Sequence, residues 1–488
     1  MAAIDERIDV LIVGSGIAGL SAAVEAAAAG ASTIVAEAEI STGGASAISG
    51  ASCCIIGTPL QDEAGVADSV EHALADWESM GGDVDRERVR HYLERSRADV
   101  YDWLADLGVQ WVRVTKPAGN SAARNHIAAG GGRAIVEAVR ARAVRSGVQI
   151  RTGTKVVEIR GEGPIEVDVD GAEGRQTLGA DAVVLATGGF AGSHDRLSRA
   201  SALLRNIPRF VVGGAPSAQG TGHDLAASIG AALVDLENVW TYPIGTPDPR
   251  DESGTRGLAL RGPITDIWLN RDGERFHDES DRSGRSGTDA LLEQPGQTAW
   301  SVFSAEETAK LILMNNEYYS TPVGSDPRAI EEFLNVSPFV HRVSGAAAIG
   351  DVIGADPAVV KRSLSGFASA IAKGHSQDPA TGRALAGVTG IDPVDVYVVQ
   401  IFPVVSKNLG GVHTDLDCRV LTLDGVFLPG VFAAGELTGG AGGCLNGTGS
   451  LEGTLFGPSV YSGRIAGRNA ADRARRARGV DDAQGSTS

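Results

Sequence analysis

Apolar positions change period along the chain, and each change marks an element. Asp9-Val10-Leu11-Ile12-Val13 is a short β-branched run, the pattern of a buried strand. Gly14-Ser15-Gly16-Ile17-Ala18-Gly19 follows at once. Leu20 to Ala29 reads as a helix closed by Gly30, and Ser32–Ala36 is a second strand with Glu37 at its end. These pieces make one βαβ unit. Asp62–Met80 and Asp85–Leu107 carry apolar residues such as Trp77 and Leu104 at helical spacing, and Ala134–Ser146 is another helix. Val148–Ile150 and Thr154–Ile159 resemble strands. Ile165–Val169 alternates apolar and acidic residues, which predicts a half-buried strand in an antiparallel ribbon with Gln176–Leu178. Ala182–Ala186 is a further buried strand, and Thr187-Gly188-Gly189 turns after it.

From about 235 to 350 the clean strand–helix alternation stops, and Pro, Asp, Arg and aromatics rise. Val359–Lys373 is helical, Gly425–Glu436 returns to the first pattern, and Ser459–Ala474 is a final helix. The expected organisation is a two-segment nucleotide-binding domain (1–235 and 351–474) with an inserted substrate domain (236–350). The polar tail 475–488 is expected to be disordered.

Composition narrows the function. The 43 Lys+Arg against 61 Asp+Glu give a net charge of −18, which argues against a nucleic-acid backbone or an anionic membrane surface as partner. Gly is 65 of 488 residues without a Gly-X-Y period, so the glycines serve turns and close backbone approach. Four cysteines form no CxxC pair, and the adjacent Cys53 and Cys54 read as small buried fillers. His126 and His413 read as structural. The glycines and charges of Val10–Gly30 argue against a membrane span, and few cysteines fit a reducing cytoplasm.

A lone GxGxxG is weak. Placed between a strand and a helix, with an acid 18 residues after the last Gly, it is a strong dinucleotide signal. Gly14, Gly16 and Gly19 let the backbone reach a pyrophosphate at a helix N-terminus, and Glu37 takes the ribose 2′-OH. By itself this leaves an NAD-type site open.

Three separated pieces resemble one family. VLIVGSGIAGLSAA with Glu37, Ala186-Thr187-Gly188-Gly189-Phe190, and Gly430–Glu436 resemble the nucleotide-contact segments of the fumarate reductase flavoprotein and 3-ketosteroid dehydrogenase superfamily. Gln294–Trp300 is similar to its tricarballylate dehydrogenase branch. The resemblance implies an α/β fold, a two-segment FAD-binding Rossmann-like domain with an inserted α+β cap, and an active site between them. It implies non-covalent FAD, since no His stands in Ser41–Ser46, where the covalent members carry theirs. The implied FAD contacts are Gly14, Gly16, Ala18, Gly19, Glu37, Gly43, Gly44, Ala45, Ser46, Ser49, Gly50, Val156, Thr187, Gly188, Gly435, Glu436, Ser450 and Leu451.

The same resemblance implies chemistry at a CH–CH or C=C bond next to a carbonyl or carboxylate of a small molecule. Gly273–Glu279 looks like the family's GxRFxxE segment, after which an arginine is the proton donor; Arg282 and Arg285 both fit. Asn408–Val412 looks like the loop over the flavin. Fumarate reductases carry a substrate His before that loop, where this chain has Lys407, and a clamp Arg in a later loop that Cys444–Ser450 lacks. Lys407 is therefore the candidate for polarising a substrate carbonyl. It is one of 6 lysines in a chain with 37 arginines. Ketosteroid dehydrogenases use tyrosines, and Tyr242, Tyr318, Tyr319, Tyr397 and Tyr461 are available, Tyr461 being the catalytic candidate. A fumarate-reductase-like enoate reductase and an electron-relay subunit are the alternatives. The electron acceptor or donor stays open.

Overall fold

A computed structural model describes residues 4–117, 119–161, 164–262, 264–282, 284, 286–315, 318–321, 324–439, 449 and 451–479. The elements used below are, in chain order, β1 (Glu6–Val13), α1 (Ile17–Ala28), β2 (Thr33–Ala36), β3 (Gln149–Arg151), β4 (Lys155–Arg160), β5 (Ile165–Gly171), β6 (Gly174–Leu185), α2 (Thr221–Ser228), β7 (Val239–Pro247), β8 (Asp266–Leu269), β9 (Ala299–Ser304), α3 (Pro357–Ala372), β10 (Val396–Asn408), β11 (Arg419–Leu421), β12 (Phe427–Ala433) and α4 (Phe456–Ala477). The chain divides into two compact units. Unit 1 is Met1–Arg196, Ala215–Val239 and Lys407–Ser488, and unit 2 is Leu197–Gly214 and Trp240–Ser406.

Unit 1 is built around an eight-stranded sheet. β1 lies inside it, parallel to β2 (Val10 opposite Thr33) and to β6 (Val10 opposite Ala182). β12 continues the parallel set beyond β6, and β3 continues it beyond β2. Val10, Leu11 and Ile12 are fully buried, as central parallel strands covered on both faces must be. The predicted ribbon is present: β5 pairs antiparallel with β4 and β6. The strand expected at Ala182–Ala186 begins at Gly174, so one strand of 12 residues serves both ribbon and central sheet.

Helices α1 and α4 cross at backbone distance. A Cβ at Gly463 would fall 2.2 Å from Ala18 O, and one at Gly467 2.2 Å from Ala22 O. Glycine every fourth residue on α4 thus meets a helix whose facing residues are small. The close approach anchors α1, whose N-terminus follows the Gly14–Gly16 turn.

Two expected helices differ. Asp62–Met80 is two helices, Pro59–Glu63 and Val70–Gly81, because Gly65 takes φ +66 and Ser69 caps the second by accepting His72 N–H at 3.1 Å. Asp85–Leu107 is Arg86–Ser96, a wider π turn at Arg97–Asp102, and Trp103–Asp106.

Unit 2 holds a second sheet in which β9 pairs antiparallel with β8 and β10. Here the expected boundary at 350 differs from the fold. Residues 351–406 pack in unit 2, because β10 runs beside β9 from Ser304–Val396 to Ala299–Ile401. Val360, Leu364 and Phe367 of α3 share a core with Ile267, Leu269, Val302 and Val398. α4 extends to Ala477, so the first residues of the expected tail are helical, and 480–488 lie outside the described residues. Among the described residues no helix is long and apolar enough to cross a membrane.

Candidate functional site

Unit 1 carries a groove of about 1010 Å³, open to solvent, along the C-terminal edge of its sheet. Its walls are the turns after four neighbouring strands. Ala36–Glu39 follows β2, Gly14–Ala18 follows β1, Ala186–Gly189 follows β6, and Ala434–Glu436 follows β12. Because the sheet order is β12-β6-β1-β2, these turns stand in a row. Glu37 and Glu436 are therefore three strand spacings apart, roughly 14 Å.

The first turn is tight for a geometric reason. Gly14 has φ +101, and a Cβ there would stand 2.5 Å from Ala186 O. Gly19 does not line the groove; its Cβ would lie 2.0 Å from Gly14 O, so its absence lets α1 sit on the turn. Of the other sequence-derived contacts, Gly16, Ala18, Glu37, Gly44, Ala45, Ser46, Val156, Thr187, Gly188, Gly435 and Glu436 line the groove. Gly43, Ser49, Gly50 and Leu451 are not among its lining residues, and Leu451 belongs to the apolar core. Ser450 lies outside the described residues, as does the loop 440–448.

Glu37 is held by its neighbours. One carboxylate oxygen accepts Ser15 N–H at 2.8 Å and Ser15 Oγ–H at 2.6 Å, and the other accepts Glu39 N–H at 2.9 Å. Ser15 Oγ also accepts Gly43 N–H at 3.2 Å. A carboxylate has about four lone-pair directions, so acceptor capacity remains for one hydroxyl. Sequence reasoning passed over Ser15; its only signal was a hydroxyl residue inside the glycine motif.

At the other end, Asn408 ties three segments together. It is fully buried, accepts Phe190 N–H at 2.9 Å, and donates to Gly410 O at 2.7 Å and Glu436 O at 3.3 Å. Its backbone N–H reaches Glu436 Oε1 at 3.4 Å. Gly189 packs beneath, where a Cβ would be 2.0 Å from Asn408 Oδ1 and 2.6 Å from Glu436 Oε1. Glu436 is half-buried as a residue, open on the groove side, with its carboxyl enclosed. That burial pushes its pKa up to about 7 against the pull of Asn408 N–H and the Lys407 charge.

The catalytic candidates are scattered. Lys407 is the penultimate residue of β10, half-buried, and its charge acts on Glu436. The structure does not bring Tyr461 to the groove. Its hydroxyl bonds His91 Nδ1 at 2.6 Å and its ring packs edge-on against Tyr92, deep in the α4 core. Arg282, in unit 2, pairs with the fully buried Asp266 and donates to Leu260 O at 3.3 Å. Asp266 also accepts Ser301 Oγ–H at 2.6 Å and Trp268 Nε1–H at 3.0 Å. Arg285 lies outside the described residues. In unit 2, Tyr242 lies under Arg261, Tyr319 donates to Asp248 at 3.3 Å, Tyr397 stacks on Phe303, and Tyr318 is exposed. His126 is buried between Arg124 O at 2.9 Å and Thr58 Oγ1 at 2.7 Å. Cys53, Cys54 and Cys418 are buried free thiols.

The groove fits a dinucleotide. Its charged lining residues are Glu37, Glu39, Glu436 and Lys155, so a pyrophosphate must be held chiefly by backbone N–H groups and the helix dipole. α1 is suited to this: Gly16 at its N-cap offers no side-chain cap, and its first turn has no acid. Thr187 lines the groove, but its Oγ1 is buried towards Gly222, where a Cβ would fall 1.8 Å from it, and has no hydrogen-bond partner among the described residues.

The sequence matches the FAD binding domain family over residues 9–451. A probable fumarate reductase of Shewanella frigidimarina is 29% identical over 478 residues, spanning 96% of this chain and 76% of the relative. A KsdD-like steroid dehydrogenase of Mycobacterium tuberculosis is 26% identical over 545 aligned residues, spanning 96% of each. The open conformation of a flavocytochrome c3 fumarate reductase has TM-score 0.76 at 28% identity, covering 97% of this chain and 79% of that one. A 3-ketosteroid-Δ4-(5α)-dehydrogenase from Rhodococcus jostii, in complex with 4-androstene-3,17-dione, has TM-score 0.72 at 25% identity, covering 96% and 98%. This chain belongs to the FAD binding domain family, its cofactor is FAD, and it is an oxidoreductase.

Proposed function

We propose that this chain is a dehydrogenase or reductase of a CH–CH bond beside a carbonyl, acting on a small ketone or organic acid with FAD bound non-covalently. FAD, when bound, supplies the acceptor or donor of a hydride. Glu37, oriented by Ser15, would hold the adenosine ribose, and the α1 N-terminus would hold the pyrophosphate.

The single observation that carries the substrate reading is the setting of Lys407. It adjoins Asn408, the residue that binds both the Gly189–Phe190 turn and Glu436 at the flavin end of the groove. A compact ammonium there polarises one carbonyl or carboxylate, and charge growing on the substrate oxygen strengthens the contact. The fumarate-reductase His and clamp Arg are missing from the sequence, so a dicarboxylate is poorly served. The proton path is assigned to an arginine, Arg282 or Arg285. An arginine in that role must be placed rather than free, and Asp266 places Arg282.

The test is anaerobic. The FAD-loaded protein is reduced, then mixed separately with enones, enoates and fumarate; the oxidised protein is mixed with cyclic ketones and saturated acids. Flavin spectral change with ketones or enones supports the reading. Rapid reoxidation by fumarate alone makes the chain an enoate reductase, and no response to any substrate favours an electron-relay role. Flavin that stays with the acid-precipitated chain would overturn the non-covalent assignment.

A further inference from the structure

The row of turns sets an order in which the two halves of a bound FAD would meet its residues. The ribose acid follows β2 and the pyrophosphate turn follows β1, so the flavin half of a bound FAD would run towards the turns after β6 and β12. Glu436 follows β12. It is a carboxyl on the groove wall that the structure encloses closely. Gly189 leaves no room for a Cβ against Oε1, and the 3.4 Å contact from Asn408 N–H is weak. Ser459 of α4 and the small Ala18 close the side at Gly435. Among the described residues the charged group acting on it is Lys407, from β10. A carboxylate so poorly solvated, with one cation near it, can change protonation state when charge changes beside it.

We propose that Glu436 is the redox-linked proton site of the FAD groove, binding one proton from solvent when the cofactor gains two electrons and releasing it on reoxidation. This rests on the FAD reading above. The step balances as follows. The reductant is oxidised and gives two electrons, one proton goes to the flavin, and a second goes to a Glu436 oxygen. Negative charge arriving at the flavin end favours the neutral carboxyl, and the neutral carboxyl in turn favours reduction. Burial has already brought the group's pKa to about 7, so the added charge is enough to cross neutral pH.

The experiment is potentiometric titration of the FAD-loaded protein with dithionite and mediators from pH 5.5 to 8.5. The slope of midpoint against pH reads protons taken up per electron pair. Wild type should show about two protons above pH 7, falling towards one below pH 6.5 as Glu436 enters the oxidised state already protonated. Glu436→Gln should show one proton throughout. Should that variant lose FAD, redox-difference infrared spectra of wild type decide the matter. A protonated-carboxyl band should appear on reduction and shift when glutamate is 13C-labelled. A Glu436→Gln slope equal to wild type, or no such band, overturns the proposal. A protein that retains no FAD fails the function reading instead, and its absorbance spectrum shows this before any titration.

Discussion

The side-chain oxygen of Asn408 accepts the backbone N–H of Phe190 at 2.9 Å, joining residues 218 positions apart. That bond locks the segment that begins at Lys407 to the turn after β6, both within unit 1. The same side chain donates to Glu436 O, so the turn after β12 is fixed by the same amide. A fully buried amide with donors and acceptor satisfied holds one arrangement, because any other leaves a polar group unpaired in a dry site. Lys407 and Glu436 owe their placement to it.

Glu37→Gln should weaken FAD binding while leaving substrate preference unchanged. A charge-assisted hydrogen bond contributes about 1.5–3 kcal/mol, or roughly 10- to 100-fold in affinity. FAD titration followed by fluorescence quenching measures it. Equal affinity in variant and wild type would move the ribose away from Glu37.

Asp266→Ala should destabilise the fold by about 3–5 kcal/mol, because Arg282 keeps its charge in a mostly buried place without its partner. Adding Arg282→Met should recover much of that loss. Denaturant midpoints of the two variants test the pair. Arg282→Ala should lower turnover on the order of 10²-fold if it lies on the proton path. Full activity would pass that role to Arg285.

Lys407→Met keeps the aliphatic stem and removes the charge. It should depress turnover more than affinity, because the contact gains most as charge forms on the substrate oxygen. Steady-state kinetics on the substrate found by the screen provides the check. A change in KM alone would make Lys407 a binding group only.

His223 should make the fold acid-sensitive. It is fully buried on α2, neither ring nitrogen has a hydrogen-bond partner among the described residues, and burial lowers its pKa to about 4. The unfolded chain binds this proton near pH 6.5, the folded chain only near 4. Stability is therefore intact above 6.5 and falls with pH between those values, by on the order of 3 kcal/mol in all. His126, whose pKa burial also lowers to about 4, adds to the slope. His223→Phe should flatten the drop in Tm between pH 7 and 5. An unchanged drop would mean that this ring does not carry the effect.

The sequence by itself determined the nucleotide half of the protein. A strand, a glycine turn, a helix and an acid are local matters of period, φ and spacing, and β1, α1, β2 and Glu37 sit where those patterns put them. Tertiary structure alone decided what is brought together from afar. Chain order placed 351–406 with the nucleotide domain, but strand pairing of β10 with β9 gave it to unit 2. Tyr461 carries a hydroxyl suited to catalysis, yet its helical position turns it to His91 and the core. Ser15 and Asn408 are ordinary polar residues in the sequence. They become organisers only because folding removes water from them and leaves one set of partners, and that choice is made by the packing of distant segments.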